Sequence, residues 1–475
     1  MLVDIDSILK PSQRFGVHLG LERIQRLLAD LGNPHLRVPV IHVAGTNGKG
    51  SVCAYLSAVL TEADYRVGRY TSPHLVDWNE RICLNEQPIS TDAFRDLLLQ
   101  VKAAIPENIE DSPTQFEVIT AAAWLYFAQQ QVDIAVMEVG LGGRLDATNV
   151  CDRPLVTIIT SLSREHWQVL GPTLSDIAKE KAGILKPGCP AVIGQLPPEA
   201  KAVVEQRINE LGCPAVWVKP AVMLLTNSEN LTPQQASLRG KGELDSPLVL
   251  GEGQGKGSAP FNINEETKGR FQEHWAEYDS IKYPLPLLGE IQLTNSAIAI
   301  ATVQILRSQG WKIPEEAIAS GMAKTQWPGR LQWTTWQNHR LLIDGAHNPA
   351  AAQALRQYTD TLDTPITWVM GILSTKDHAD IFDALLRPRD RLYLVPVPDH
   401  SSADPEALKA IAQSRCPELA DCRTYADLET GLHAATTSTA TETEKPLIVL
   451  CGSLYLVGYF LKQNRTDTNS YYSAQ

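Results

Sequence analysis

VPVIHVAGTNGKGSVCAYLSAVLT, residues 38–61, reads as strand, glycine turn and helix in immediate succession. Between Val40 and Ala44 every side chain but His42 is apolar, as a short buried strand requires, and Pro39 opens the run. Gly45, Gly48 and Gly50 then fall within six residues around a single Lys49. Past Ser51, the apolar residues Val52, Tyr55, Leu56, Val59 and Leu60 recur at helical spacing. Such a turn aims the unpaired N–H groups of a helix N-terminus at one point, and a polyphosphate suits that point. The backbone from Asn47 through Gly48 and Gly50 would cradle the phosphates; Lys49 adds a point charge and Ser51 a hydroxyl for magnesium. The spacing departs from G-x-x-x-x-G-K-[ST], because Gly50 separates Lys49 from Ser51. A glycine-rich turn that binds nothing is the alternative, but lysine, serine, strand and helix together favour ATP-type phosphate binding.

Outside this stretch, composition sets bounds. The chain of 475 residues has room for two or more domains, and 44% hydrophobic with 20% charged residues is the balance of a soluble globular protein. A net charge of −12 argues against nucleic acid as the principal partner. No apolar run approaches the ~20 residues of a membrane span, and the opening MLVDIDSILKPSQRF is too acidic for a secretory signal. Eight scattered cysteines without a C-x-x-C pair fit buried thiols in a reducing cytoplasm. The expectation is a cytoplasmic monomer.

Further along, Leu21, Ile24, Leu27 and Leu28 mark a helix stopped by Gly32 and Pro34, and residues 67–71 and 82–84 read as strands. Helices follow at 91–105 and from about Thr114 to residue 130. Residues 132–139 form a buried strand that brings Glu138 to its C-terminal end, where ligands gather in open parallel sheets. A carboxylate there is costly unless paired or metal-bound, with capping of the adjacent glycine turn as the alternative. The strand from 155 to about 162 delivers Glu165 and His166 just beyond its end, which favours a metal reading for His166 over a structural one. Residues 173–186 read as a helix capped by Thr173 or Ser175, with Lys179, Glu180 and Lys181 on a solvated face.

The pattern degrades at about 220–280, which reads as loop or hairpin insertion, and returns in a strong helix at 293–307. After Pro328 and Gly329 strands alternate with helices again. Two α/β domains with mainly parallel sheets are the expectation, divided as 1–325 and 326–475. Asp344 and His347 lie past the strand 341–343, before a helix opening at Pro349, a place to hold ribose and phosphates. N-capping by Asn348, with Asp344 bound to backbone, is the alternative.

GTNGKGS at 45–51, TSPH and NERI at 71–82, EVGLGGRLDATN at 138–149, the histidine before LGPT at 166–173, EKAGI at 180–184, WPGR at 327–330, DGAHNP at 344–349 and GSLYLVG at 452–458 occur in one order. In these motifs the chain resembles folylpolyglutamate synthase and its bifunctional form with dihydrofolate synthase, relatives of the Mur amide ligases. The resemblance implies a P-loop ATPase-type domain followed by a smaller Rossmann-like α/β domain. It implies ATP- and Mg2+-dependent amide formation between L-glutamate and either dihydropteroate or the γ-carboxylate of a reduced folate, through an acyl phosphate. Matched by position, Ser72, Glu138 and His166 would hold metal, and Lys181 would be a carbamate holding a second magnesium, against the solvated-face reading. Lys49, Glu138, His166 and Lys181 would then be the catalytic set. Asn295, Arg330, Asp344 and His347 would complete the ATP side. Leu19, Gly20 and Leu21, the run Thr114, Gln115, Phe116 and Glu117, and Arg144, Leu145 and Asp146 would meet the pterin.

Three places depart from the family pattern: Glu165 replaces an aspartate, no histidine precedes Gln292, and STKDH at 374–378 replaces D-K-D around Lys376. Among rivals, a Mur-type amino-acid ligase lacks support from GLERI and GLGGRLDATN. A guanine-specific P-loop switch would need N-K-x-D, and no Asn-Lys pair exists in the chain.

Overall fold

The strand expected at 40–44 forms as β1 (Val40–Ala44), all five residues buried. The structure is a computed structural model that describes residues 4–13, 19–106, 111–224, 274–439 and 446–464. β1 lies inside an eight-stranded sheet with β2 (Val67–Tyr70), β3 (Ile82–Leu84), β4 (Gln87–Pro88), β5 (Ile134–Glu138), β6 (Val156–Ile159), β7 (Ala191–Ile193) and β8 (Ala215–Trp217), in the order β4-β3-β2-β5-β1-β6-β7-β8. The β2-to-β8 run is parallel; β3 and β4 turn back antiparallel at one edge. Register sets the site: Val43 pairs with Glu138 and Ala44 with Ile159, so three strands end together where the glycine turn begins.

Helices cover both faces. Lys49–Glu62, Ile291–Ser308 and Glu315–Lys324 close one side around Val52, Leu56 and Ile298. Thr91–Ala103 and Gln115–Gln129 close the other around Phe94, Leu98 and Trp124. Gly321 permits the close approach of Glu315–Lys324 to the Lys49–Glu62 helix, because a Cβ there would stand 2.4 Å from the Val59 Cα. Backbone cannot yield as a side-chain tip can, so Gly321→Ala is expected to destabilise by about 1–3 kcal/mol. A thermal melt unchanged from that of the unsubstituted protein would contradict this packing.

The expected hairpin is present beside the insertion: β10 (Trp275–Tyr278) and β11 (Ile281–Pro284) pair antiparallel, and β9 (Val222–Leu224) joins β10. Asp279 and Ser280 take φ of 49° and 66°, the left-handed pair that a two-residue hairpin turn demands. The remainder of the insertion, 225–273, lies outside the described residues. Beyond this three-stranded sheet the second large sheet follows, with β12 (Gln332–Trp336), β13 (His339–Ile343), β14 (Ile366–Met370), β15 (Arg391–Leu394), β16 (Asp421–Thr424) and β17 (Leu447–Cys451). Its order is β12-β13-β17-β14-β15-β16, parallel except for the β12–β13 hairpin. Several helices were not expected, among them Pro198–Leu211, His378–Leu385, Leu428–Thr439 and Ile5–Gln13, the last in the stretch read only as lacking a signal. In that last helix Asp6 takes the Trp78 indole N–H at 2.8 Å. No helix of the described residues is long and apolar enough to cross a membrane.

Candidate active site

The glycine turn is shaped by its neighbours. Gly45 and Gly48 take φ of 148° and 87°, and a Cβ at either would collide with Thr160 Oγ1 at 1.9 Å or Asn295 Oδ1 at 2.4 Å. Lys49, Gly50 and Ser51 occupy the first helical turn, where backbone N–H groups have no carbonyl partner within the helix. Asn295 belongs to the Ile291–Ser308 helix; its amide bonds Gln292 Oε1 at 3.0 Å, and Gln292 reaches Ser51 Oγ at 3.4 Å. The expected nucleotide residue Asn295 therefore sits against the turn.

Glu138 is buried at the end of β5, accepting the Ser72 N–H at 3.1 Å and lying 3.9 Å from Lys49 Nζ. Burial raises its carboxyl above the usual range, against the opposing pull of Lys49. Lys49 also donates to Thr46 O at 3.0 Å. Lys181 corrects the solvated-face reading: it is 6% exposed and donates to Gly45 O at 2.8 Å. Lys179 on the same helix stays outside, 67% exposed. Burial, reinforced by the charge of Lys49, brings the Lys181 ammonium down to about 7. Of the two caps proposed for this helix, Thr173 is the one used, in a reciprocal box with Asp176.

Among the described residues no three His, Cys, Asp or Glu side chains cluster as a transition-metal site would. Magnesium needs fewer protein ligands, since it keeps waters and takes substrate phosphate oxygens beside one or two carboxylates. One buried carboxylate at Glu138, with Ser72 adjacent and Ser51 in the turn, fits that requirement. His166 lies in the same cleft wall in a left-handed conformation, φ 51°, with Nε2 3.9 Å from Glu165.

The second sheet closes the cleft, which holds about 350 Å3. Arg330, Asp344 and His347 line it opposite Lys49 and Glu138. Asp344 lines the cleft, and its carboxylate is bound to backbone, as the alternative reading had it, accepting the Leu331 and Ala346 N–H groups, each at 2.8 Å. Asn348 caps the Pro349–Asp360 helix, as the alternative reading had it, and does something unforeseen. Its amide and that of Asn47 exchange two hydrogen bonds, 3.0 and 3.2 Å, directly from phosphate turn to second sheet.

Glu165, singled out as lying beyond a strand end and as a departure, acts as a further clasp to the residues of the second sheet. Its Oε1 accepts from His347 Nε2 at 3.1 Å and Lys376 Nζ at 3.2 Å. Burial opposes its charge, but the His347 hydrogen bond and the charges of His347 and Lys376 hold its carboxyl well below the usual range. The altered surroundings of Lys376 thus leave that lysine in place. Glu165→Ala would leave Lys376 and His347 without their shared acceptor, so turnover is expected to fall at least about thirtyfold. An alanine variant with unaltered turnover would remove the clasp from the account.

The expected pterin residues do not line this cleft but gather next to it. Gly20 N–H reaches Leu145 O at 3.4 Å, placing Leu19–Leu21 against Arg144, Leu145 and Asp146. Phe116 packs against Gly140, where a Cβ would meet its ring at 2.4 Å. Glu117 and Asp146 already have work: Glu117 closes the capping box with Thr114 and takes Arg23 Nε at 3.1 Å. Asp146 accepts from Leu141 N–H and from both the N–H and hydroxyl of Thr148. Arg144 is held by Glu180 at 2.8 Å. Gln115 Nε2 is buried without a partner, a donor in reserve beside Phe116.

The profile for the Mur ligase middle domain matches residues 43–210, and that for the dihydrofolate synthetase C-terminal domain matches 330–463. The chain is 35% identical over 441 residues to the folylpolyglutamate synthase of Lacticaseibacillus casei, covering 91% of this chain and 92% of that one. It is 33% identical over 470 residues to the dihydrofolate synthetase of Saccharomyces cerevisiae, covering 94% and 98%. The crystal structure of Mycobacterium tuberculosis folylpolyglutamate synthase, complexed with ADP and AMPPCP, superposes with a TM-score of 0.79 at 29% identity, covering 98% and 100%. On identity sustained along nearly its whole length, the chain belongs to the folylpolyglutamate synthase and dihydrofolate synthase family of ATP-dependent ligases.

Proposed function

We propose that this protein joins L-glutamate in amide linkage to a pterin-bearing acid, with dihydropteroate and the γ-carboxylate of a reduced folate both serving as acceptors, at the expense of ATP. The observation that carries this reading is the facing of Lys49 and Glu138 on one wall of a single cleft by Arg330 and His347 on the other. The 1–325 and 326–475 parts act as two domains, each contributing half of that cleft. A carboxylate has no leaving group, so an amine cannot displace its oxygen directly. Attack by a carboxylate oxygen on the ATP γ-phosphorus, with ADP leaving, makes the acyl phosphate; the glutamate nitrogen then attacks the acyl carbon and phosphate leaves.

Charge builds on the transferred phosphoryl, and preorganised donors that meet it there lower the barrier. The N–H groups of Lys49, Gly50 and Ser51 and the Lys49 ammonium take that role from one side, Arg330 from the other. Glu138, Ser72 and His166 would hold magnesium, which when bound screens the phosphate charge. Lys181, neutral in part near pH 7 through burial, would react with carbon dioxide to become an anionic carbamate suited to a second magnesium. Asn295, Asp344 and His347 complete the nucleotide side. Leu19–Leu21, Thr114–Glu117 and Arg144–Asp146 form the pterin wall. Glutamate's carboxylates would find Arg164 in an adjoining cleft of about 310 Å3, beside the Glu165–Lys376 pair.

A heavy-oxygen label in the acceptor carboxylate tests this chemistry. The acyl-phosphate route moves one labelled oxygen into inorganic phosphate, read by mass spectrometry. Unlabelled phosphate accompanied by normal product would exclude it.

A further inference from the structure

Gly50, which breaks the usual phosphate-loop spacing, is not explained by phosphate binding alone. It lies in the first turn of the Lys49–Glu62 helix, where alanine is normally accommodated. A Cβ at Gly50 would stand 2.2 Å from Trp327 Cζ2, and the three nearest atoms all belong to that indole. Trp327 lies in the connection between the Glu315–Lys324 helix and β12, three residues before Arg330. The Arg69 guanidinium carbon lies over the same ring, 5.6 Å from its centroid. Arg69 is buried and bonds Glu86 at 2.6 Å and Cys83 Sγ at 3.4 Å. Glu86 in turn takes the Ser57 hydroxyl, from the same helix that begins at the phosphate turn.

The connection between the two sheets is thus seated on the phosphate loop. We propose that Trp327 is a positioning residue, whose indole, packed against Gly50 and under Arg69, fixes where Arg330 meets the phosphates. The extra glycine is the vacancy that admits the ring. Nucleotide held by the turn and the orientation of the second sheet are then linked through one rigid side chain, since a packed indole against backbone has no soft direction to yield. This rests on the ligase reading for its effect on turnover, but its effect on nucleotide affinity does not.

A size exchange tests it, with fluorescent ATP-analogue affinity and glutamate-dependent ADP release both measured on the full chain. Gly50→Ala is expected to lose about thirtyfold in affinity through the clash. Trp327→Leu should keep affinity within about threefold but lose turnover about tenfold, because the turn survives and Arg330 drifts. Combining them should recover at least about tenfold of the affinity lost in Gly50→Ala, the signature of coupled neighbours. Trp327→Phe, which keeps a flat ring, should restore most of the turnover lost in Trp327→Leu. Affinity losses that simply multiply in the double variant, or a Phe variant as slow as Leu, would overturn the proposal. If Gly50→Ala does not fold, the Phe and Leu pair alone decides. Absence of glutamate-dependent ADP release in the unsubstituted protein would instead count against the ligase reading, with the affinity cycle still deciding the role of Trp327.

Discussion

Replacing Lys49 with alanine is expected to cut glutamate-dependent ADP release about a thousandfold, the upper range for loss of one preorganised donor to a developing oxyanion. Two effects add. The ammonium meets phosphate charge in a cleft partly shielded from water, where each charge-assisted contact is worth more than at the surface. Lys49 is also the cation nearest Glu138, 3.9 Å away, so its removal leaves a buried carboxylate less stabilised and drives it further toward its protonated form. Arginine at this position would keep charge but carry a planar fork into a space bounded by Thr46 O and Glu138, and little rescue is expected. A steady-state ADP assay decides this, and an alanine variant within tenfold of the unsubstituted rate would contradict it.

Glu138→Gln isolates the other half of the same wall. Glutamine preserves an acceptor for the Ser72 N–H and nearly the same volume, so the fold should survive. It removes the one buried negative charge positioned for a cation between Lys49 and the Ser72 turn. Turnover is expected to fall about a hundredfold and the magnesium concentration for half-maximal rate to rise about tenfold, as loss of a ligand would require. Nucleotide affinity without magnesium should be unchanged. A magnesium titration that superposes on that of the unsubstituted protein would take Glu138 out of the metal site.

Much of this was readable from residue pattern because the decisive signals are local. β1, its glycine turn and the following helix occupy one contiguous stretch, and hydrophobic period with glycine placement specifies all three. Glu138 was legible because a carboxylate ending an apolar run has few uses. Long-range pairing left no such trace. The Asn47–Asn348 exchange joins residues 301 positions apart, and the Glu165–Lys376 bond spans 211, so neither follows from period or spacing. Lys181 shows the limit of pattern on a helix: Lys179 and Lys181 look alike in sequence, and only packing against Gly45 turns one inward. Trp327 was visible as part of a motif, but its purpose needed the contact with Gly50. The Ile5–Gln13 helix escaped because it is short and a proline interrupts it.

The central claim is that a glutamyl amide is made at the expense of ATP, and product mass tests it most directly. Purified protein would be incubated with ATP, magnesium, L-glutamate and, separately, dihydropteroate or a reduced folate. The account predicts that each acceptor gains the mass of one glutamyl residue, with one ADP released per bond formed. ADP release that proceeds without glutamate, or acceptors recovered at unchanged mass, would contradict it.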